Sequence, residues 1–248
     1  MRPVLFDHIA IAVPRLADAE PILAGQLGGR STSGATTDEY RFWHWRYQGG
    51  GDLEILEPAG GDGFLHRFLA QRGPGIHHVT FTVPSLDDAC DRARANGYSV
   101  VGYDDSEPEW KEAFLHPRQA QGIVVQFAET NGAHRLPEAP GPSITVIGLR
   151  LSVRAAERAH AQWGAVVRGE IGPDDDGMLV YRWPGSSMRI AVEIDPKRDE
   201  GPICIEYTSP RPIVLADGAH PVLGAVFRRL PTGEARQRPP GGQRRWRP

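Results

Sequence analysis

Two stretches of the chain alternate apolar and polar side chains, FDHIAIAV from Phe6 to Val13 and HHVTFTV from His77 to Val83, and each runs into a proline and a polar turn. A period of two marks strands with one buried face. Helical patterns follow. After the second stretch, Ser85 followed by Asp88 predicts a cap, LDDACDRARAN carries apolar residues at helical spacing, and Gly97 is a C-terminal stop. After the first, the spacing predicts a helix from Ala19 to Leu27, with Gly28-Gly29 as its stop and Pro21 in its first turn. β-prone runs come next: YRFWHWRYQ and DLEILEP, then EAFLHP and GIVVQFAE. Each unit therefore reads as βαβββ.

The two units are copies of each other. HIAIAVPRLADA beginning at His8 lies over HVTFTVPSLDDA beginning at His78, with His, Val, Pro, Leu, Asp and Ala recurring in register. LEILE at Leu53–Glu57 matches VQFAE at Val125–Glu129 once a two-residue indel is allowed. The fold class expected is α+β, with paired βαβββ modules over 5–58 and 75–130 inside a unit spanning 1–131. A weaker echo runs from 144 to 210. There VIGLRLSV, AAERAHAQWG, MLVYRWP and MRIAVEIDP repeat the order, but Gly148 stands where His8 would be. This third module reads as degenerate and without a second metal, and PICIEYTSP as the start of a fourth that dissolves into the tail. Residues 132–143, including PEAPGP, read as a linker, and 211–248 as a C-terminal segment.

Composition narrows the function classes. With 40% hydrophobic and 24% charged residues, the 248-residue chain is ordinary for a globular protein. No run approaches the roughly 18 apolar residues of a membrane span, and the N-terminus lacks a secretory pattern, so a cytoplasmic protein without membrane partners is expected. Cys90 and Cys204 have no metal-site spacing and read as small buried hydrophobes. A net charge of -3 argues against specific nucleic-acid binding. The Arg-, Pro- and Gly-rich stretch from Arg229 to Pro248 reads as disordered.

Against this background four polar residues stand out: His8 and His78 on the first strands, Glu54 and Gln126 on the last. Their same-face neighbours are mostly apolar, Ala10 and Ala12 beside His8 and Leu56 beside Glu54. Burying such groups unpaired costs roughly 2–7 kcal/mol each, and one divalent ion would satisfy all four. Two imidazoles, a carboxylate and an amide oxygen suit Zn, Co, Ni, Mn or Fe without choosing among them.

At these residues the sequence resembles the vicinal-oxygen-chelate, or glyoxalase-like, superfamily, and within it looks most like the methylmalonyl-CoA epimerase branch. The matching words are DHIAIAV, LEILEP, GPGIHHVTFTV and AFLHPRQAQGIVVQFAE, covering Phe6 to about Glu129. The resemblance implies paired modules curling into a partly closed mixed β-barrel around one metal, and it selects His78 over His77. It also implies a lyase or isomerase, in which the metal binds a carbonyl or thioester oxygen and a carboxylate moves the adjacent proton. The substrate class is a small carbonyl compound, acyl-CoA included, with a homodimer as an open assembly.

The chain departs from the epimerase pattern in a patterned way. The family has Gln in the first copy and Glu in the second, whereas here Glu54 is first and Gln126 second. Where the resemblance places the general base in copy one, an alignment taking His44 as the partner of His116 puts Tyr40, and its copy-two equivalent is Glu112. Ligand and base are read as exchanged together, with Glu112 the proton shuttle and Tyr40 its hydrogen-bonding opposite number. Glu39 is a second candidate base, while Glu57 and Glu129 have the wrong strand parity. Trp43, Trp110 and Tyr103 are candidates for a pocket lining. Two other functions remain: an Fe(II) dioxygenase, against which Gln126 argues, and a metal-free sequestering module, against which the histidines argue.

Overall fold

The computed structural model describes residues 2–130, 143–172 and 177–231. The linker reading over 132–142 and the tail from residue 232 onward lie outside them. The first module consists of β1 (Leu5–Ala12), α1 (Leu16–Glu20) continuing as a π-helical turn over Pro21–Gln26, β2 (Arg30–Thr36), β3 (Tyr40–Arg46) and β4 (Asp52–Pro58). A helix the sequence reading missed, α2 (Phe64–Arg72), leads to the second module: β5 (Gly75–Thr82), α3 (Leu86–Ala95), β6 (Val100–Glu107), β7 (Trp110–Leu115) and β8 (Val124–Thr130). Together they form one curled eight-stranded sheet in the order β2-β3-β4-β1-β5-β8-β7-β6. β1 and β5 meet antiparallel at its centre, and each pairs in parallel with the last strand of its own module. The repeat is thus a pseudo-two-fold axis between β1 and β5.

The alternation read from sequence divides the two faces. Ile9, Ile11, Val13, Val79 and Phe81 enter the main core with the buried residues of α3, such as Leu86, Ala89 and Cys90. Ala10, Ala12 and Leu56 look the other way, into a concavity, where Leu65 of α2 packs on them. α2 escaped notice because FLHRFLAQR offers only Leu65 as a fully buried residue. The Ser85 cap forms as expected, its Oγ accepting the Asp88 N–H at 3.1 Å.

The first helix starts earlier than predicted because Glu57 accepts the Leu16 N–H at 2.8 Å, as Glu129 does for Leu86 at 2.7 Å. These carboxylates, at the parity that excluded them from the cavity, anchor helix N-termini instead. At Pro21 the ladder shifts by one, Leu27 N–H reaching the Ile22 carbonyl at 2.9 Å. The third module makes the same π turn without a proline, so Pro21 permits it rather than causes it.

The second half is more complete than its sequence suggests. It comprises β9 (Thr145–Val153), α4 (Ala156–Ala159) with a π turn over His160–Val166, β10 (Glu170–Gly172), β11 (Leu179–Arg182), β12 (Arg189–Ile194), β13 (Gly201–Thr208) and β14 (Phe227–Arg229). They form a sheet in the order β10-β11-β12-β9-β13-β14. β13 and β9 repeat the antiparallel join of β5 and β1, and β14 lies parallel to β13 as β8 does to β5. The fourth unit therefore survives as its first and last strands, and Arg229, read as tail, ends a strand and donates to the Ser209 carbonyl at 2.9 Å. The sheets share one core, in which Trp183 lies 5.6 Å from Phe6 and 4.8 Å from Phe81 between ring centroids. Among the described residues no helix is long and apolar enough to cross a membrane.

Register places Gly148, Ala191, Cys204 and Arg228 where the first half has His8, Glu54, His78 and Gln126. A side chain at Gly148 would strike the Arg189 carbonyl, and its φ of +146° favours glycine. Ion pairs fill the space: fully buried Glu206 accepts Arg150 at 2.7 Å and Arg189 at 2.9 Å, and Glu193 accepts Arg150 at 2.8 Å. Removing one partner strands buried charge, so Glu206→Gln is expected to cost about 3–5 kcal/mol in urea unfolding. A loss below about 1 kcal/mol would show that the guanidinium groups re-solvate.

Candidate metal centre

Strand register builds the site in two rows on the concave face. In the first, His44, Glu54, Ala10 and His78 lie side by side across β3, β4, β1 and β5. In the second, Phe114, Gln126, Thr80 and His8 lie across β7, β8, β5 and β1. The pseudo-two-fold exchanges the rows. His8, Glu54 and His78 converge where they meet, each no more than 7% exposed.

Glu54 Oε2 is 3.5 Å from His8 Nε2 and 3.3 Å from His78 Nε2, and one donor atom from each residue fits within 4.8 Å. Ligands about 2.1 Å from a tetrahedral ion stand roughly 3.4 Å apart. Glu54 Oε2 and His78 Nε2 also make no hydrogen bond, although both are buried. Two orphaned polar atoms facing each other at ligand separation fit a divalent cation. Among the described residues this is the one cluster of three or more such donors.

The surrounding groups aim these atoms inward. His8 Nδ1 bonds Asp7 Oδ1 at 3.0 Å, Asp7 in turn accepts the Thr82 hydroxyl at 2.6 Å, and His78 Nδ1 bonds His77 Nδ1 at 2.9 Å. Both imidazoles are thereby left with Nε2 toward the centre. His77 packs 4.9 Å from Phe68 of α2. His44, which the sequence reading passed over, has Nε2 3.4 Å from Glu54 Oε1, on the far side of that carboxylate from His78.

Charge follows from this packing. Burial works against the His8 cation, but Glu54 and Asp7 outweigh it and raise His8 to about 10. Burial likewise opposes ionisation of Glu54, and His8 overrides it, lowering Glu54 to about 2. Burial holds His78 well below the usual imidazole range and His77 at about 4. The metal-free pocket at neutral pH therefore carries one proton on His8 beside an ionised Glu54.

Gln126 lies in the second row, engaged on both ends. Its Nε2 donates to Glu112 Oε2 at 2.7 Å, and its Oε1 accepts the Thr80 hydroxyl at 2.5 Å. Glu112 Oε2 also accepts Trp110 Nε1 at 2.8 Å. Glu112 thus faces the concavity. The alignment that paired it with Tyr40 is corrected by the register: His44 opposes Glu54 as Phe114 opposes Gln126, so the counterpart of Glu112 is Phe42 and that of Tyr40 is Trp110. The error came from anchoring on His116, which lies past the end of β7.

Tyr40 packs on Phe42 and Phe64, 6.1 and 5.6 Å away between centroids, at the end that α2 plugs. The other end opens into a cleft of about 1210 Å³ lined by Phe6, His8, His44, Arg46 and Trp110, with Ser187 of the third module on its rim. Of the aromatic residues singled out by sequence, Trp110 lines this cleft. Trp43 covers Gly34 on the opposite face of its hairpin, and Tyr103 donates to Asp87 at 2.8 Å outside it. Glu39 is exposed in the β2–β3 turn.

Comparison with known proteins identifies the family of the fold. The family model described as the glyoxalase/bleomycin resistance protein/dioxygenase superfamily matches residues 7–114. An uncharacterised protein, YqjC of Bacillus subtilis, is 30% identical over 132 residues, 51% of this chain and 92% of its own. An ethylmalonyl-CoA/methylmalonyl-CoA epimerase of Cereibacter sphaeroides is 30% identical over 133 residues, 50% of this chain and 96% of its own. Both relatives stop at about half of this chain. A mutant 4-hydroxymandelate synthase from Streptomyces coelicolor shares the fold at a TM-score of 0.62 and 14% identity, over 84% of this chain and 71% of its own. That likeness extends into the second half. The chain belongs to the glyoxalase/bleomycin resistance protein/dioxygenase superfamily.

Proposed function

We infer that the protein is a metal-dependent lyase or isomerase, epimerase-like, that moves a proton at a carbon next to a carbonyl. The observation that carries this reading is the Glu112 carboxylate on the concave face, joined to the His8–Glu54–His78 cluster through Gln126 and Thr80. His8, Glu54 and His78 would hold one divalent ion, Zn, Co, Ni, Mn or Fe. Bound there, it would polarise a carbonyl oxygen and offset the negative charge that grows as the neighbouring C–H ionises.

The chain's own groups do the rest. Both donors to Glu112 use Oε2, which leaves Oε1 for a substrate proton. Tyr40, pushed up to about 12 by burial and by Glu112, Glu54 and Glu39, stays protonated and offers a hydrogen-bond donor at the closed end. α2 keeps water from that end, and the cleft opposite admits a substrate with a long tail, as an acyl-CoA has.

A second reading has one observation in its favour. Two histidines and one carboxylate with open positions is also the ligand set of Fe(II) oxygen chemistry. The test is to reload metal-free protein with Co²⁺, Zn²⁺ or Fe²⁺ and to incubate it with methylmalonyl-CoA in D₂O. Loss of the α-proton signal by NMR is expected, with no O₂ consumed. Oxygen uptake in the Fe²⁺ form without α-exchange would replace the first reading by the second, and failure to bind any of the three ions would leave a ligand-binding module.

A further inference from the structure

The pseudo-two-fold makes Glu54 and Gln126 counterparts, yet their neighbours differ. Beside Glu54, on β1, stands Ala10; beside Gln126, on β5, stands Thr80. A methyl group leaves Glu54 Oε2 without a hydrogen bond and aimed at both histidines. The Thr80 hydroxyl, fully buried, lies 2.5 Å from Gln126 Oε1 and 2.9 Å from His8 Nε2. It therefore stands between the amide and the centre.

The amide's orientation is fixed by chemistry. Glu112 Oε2 already accepts the Trp110 N–H, so the group 2.7 Å from it is the NH₂ of Gln126 and the carbonyl faces Thr80. Thr80 has a single proton, and the shorter contact assigns it to that carbonyl. Gln126 is thus held by a donor at one end and an acceptor at the other. Turning the carbonyl to a cation would break the bond to buried Thr80 and leave Glu112 with one donor.

We propose that Gln126 is a positioning residue and not a metal ligand: three side chains, His8, Glu54 and His78, hold the ion, and Gln126 orients Glu112 from the adjoining row. The sequence symmetry that made four ligands attractive is broken by Thr80, and the metal keeps one more position for substrate than a four-ligand site would. This rests on the metal-dependent reading above.

The experiment titrates metal-free protein with Co²⁺, following visible absorption, for wild type, Gln126→Ala, Gln126→Met and His78→Ala. Wild-type affinity and spectrum are expected in both Gln126 variants, within about threefold, while α-proton exchange falls at least about tenfold because Glu112 loses one of its two donors. His78→Ala should bind at least about a hundredfold more weakly. Should either folded Gln126 variant lose tenfold in affinity or shift the Co²⁺ bands, Gln126 is a ligand and the proposal is wrong, with the metal reading intact. Wild type that binds no Co²⁺ would overturn both together. Met at 126 keeps the side-chain volume, so it answers if the Ala variant does not fold.

Discussion

His78→Ala is expected to abolish tight metal binding and, with it, the metal's contribution to stability. Loss of groups that merely orient ligands costs about 10–100-fold in affinity, so loss of a ligand should exceed that range. At a free-metal concentration 100 times the dissociation constant, binding to the native state alone adds about 2.7 kcal/mol. For a chain of this length that is a rise of roughly 5–10 °C in melting temperature. Wild type should therefore melt lower after chelation, and His78→Ala should melt at one temperature with or without chelator. The pH dependence has a definite sign. His8 is raised to about 10 in the metal-free protein, so an incoming ion must displace a proton below that pH. Affinity should climb as pH rises from 6 toward 9, and calorimetry in buffers of different ionisation enthalpy should count about one proton released. An affinity flat across that range would mean that His8 is already unprotonated, and the chelator melts would then decide whether it binds at all.

The fold and the meeting of His8, Glu54 and His78 on one face could be read from sequence because they rest on strand parity. A side chain's face is settled by counting in twos, and the duplication supplies an internal check, so His8, Glu54 and His78 emerge together. The same rule sent Glu57 and Glu129 to the helix side, where they bind the N–H groups of Leu16 and Leu86. What parity cannot supply is register between strands. The β3–β4 pairing is set by the turn over Tyr47–Gly51, and a two-residue slip made Tyr40 rather than Phe42 the counterpart of Glu112 and hid His44 beside Glu54. α2 was lost for another reason: it covers the concave wall with few apolar side chains and owes its place to tertiary contacts of Leu65, Phe64 and Phe68. Thr80 was visible at the right parity, but nothing in sequence says that a hydroxyl rather than a methyl decides what the neighbouring amide does. In the second half, the missing histidine suggested decay, whereas the strands persist, and Arg150 and Glu206, which stand where the first half has Ala10 and Thr80, form buried ion pairs together with Arg189.

The largest effect on turnover is expected from Glu112→Gln. The amide is nearly isosteric, and its oxygen can stay in the place of Oε2 to accept Trp110 and Gln126, so the wall of the cavity should hold its shape. What disappears is the ability to take a proton, and positioned general bases contribute about 10²–10⁴ in rate. Alpha-proton exchange and net turnover should both fall by about that factor, with metal stoichiometry unchanged because Glu112 lies outside the three-residue cluster. The two variants then separate the two halves of the mechanism: His78→Ala without metal and without exchange, Glu112→Gln with metal and without exchange. If Glu112→Gln exchanges the proton at the wild-type rate, the carboxylate is a hydrogen-bonding wall and the base sits elsewhere on the cleft, where His44 is the next group to replace. If instead exchange is lost from one face of the carbon only, Glu112 serves that face and a second group serves the other, which is what inversion at carbon requires of a rigid site.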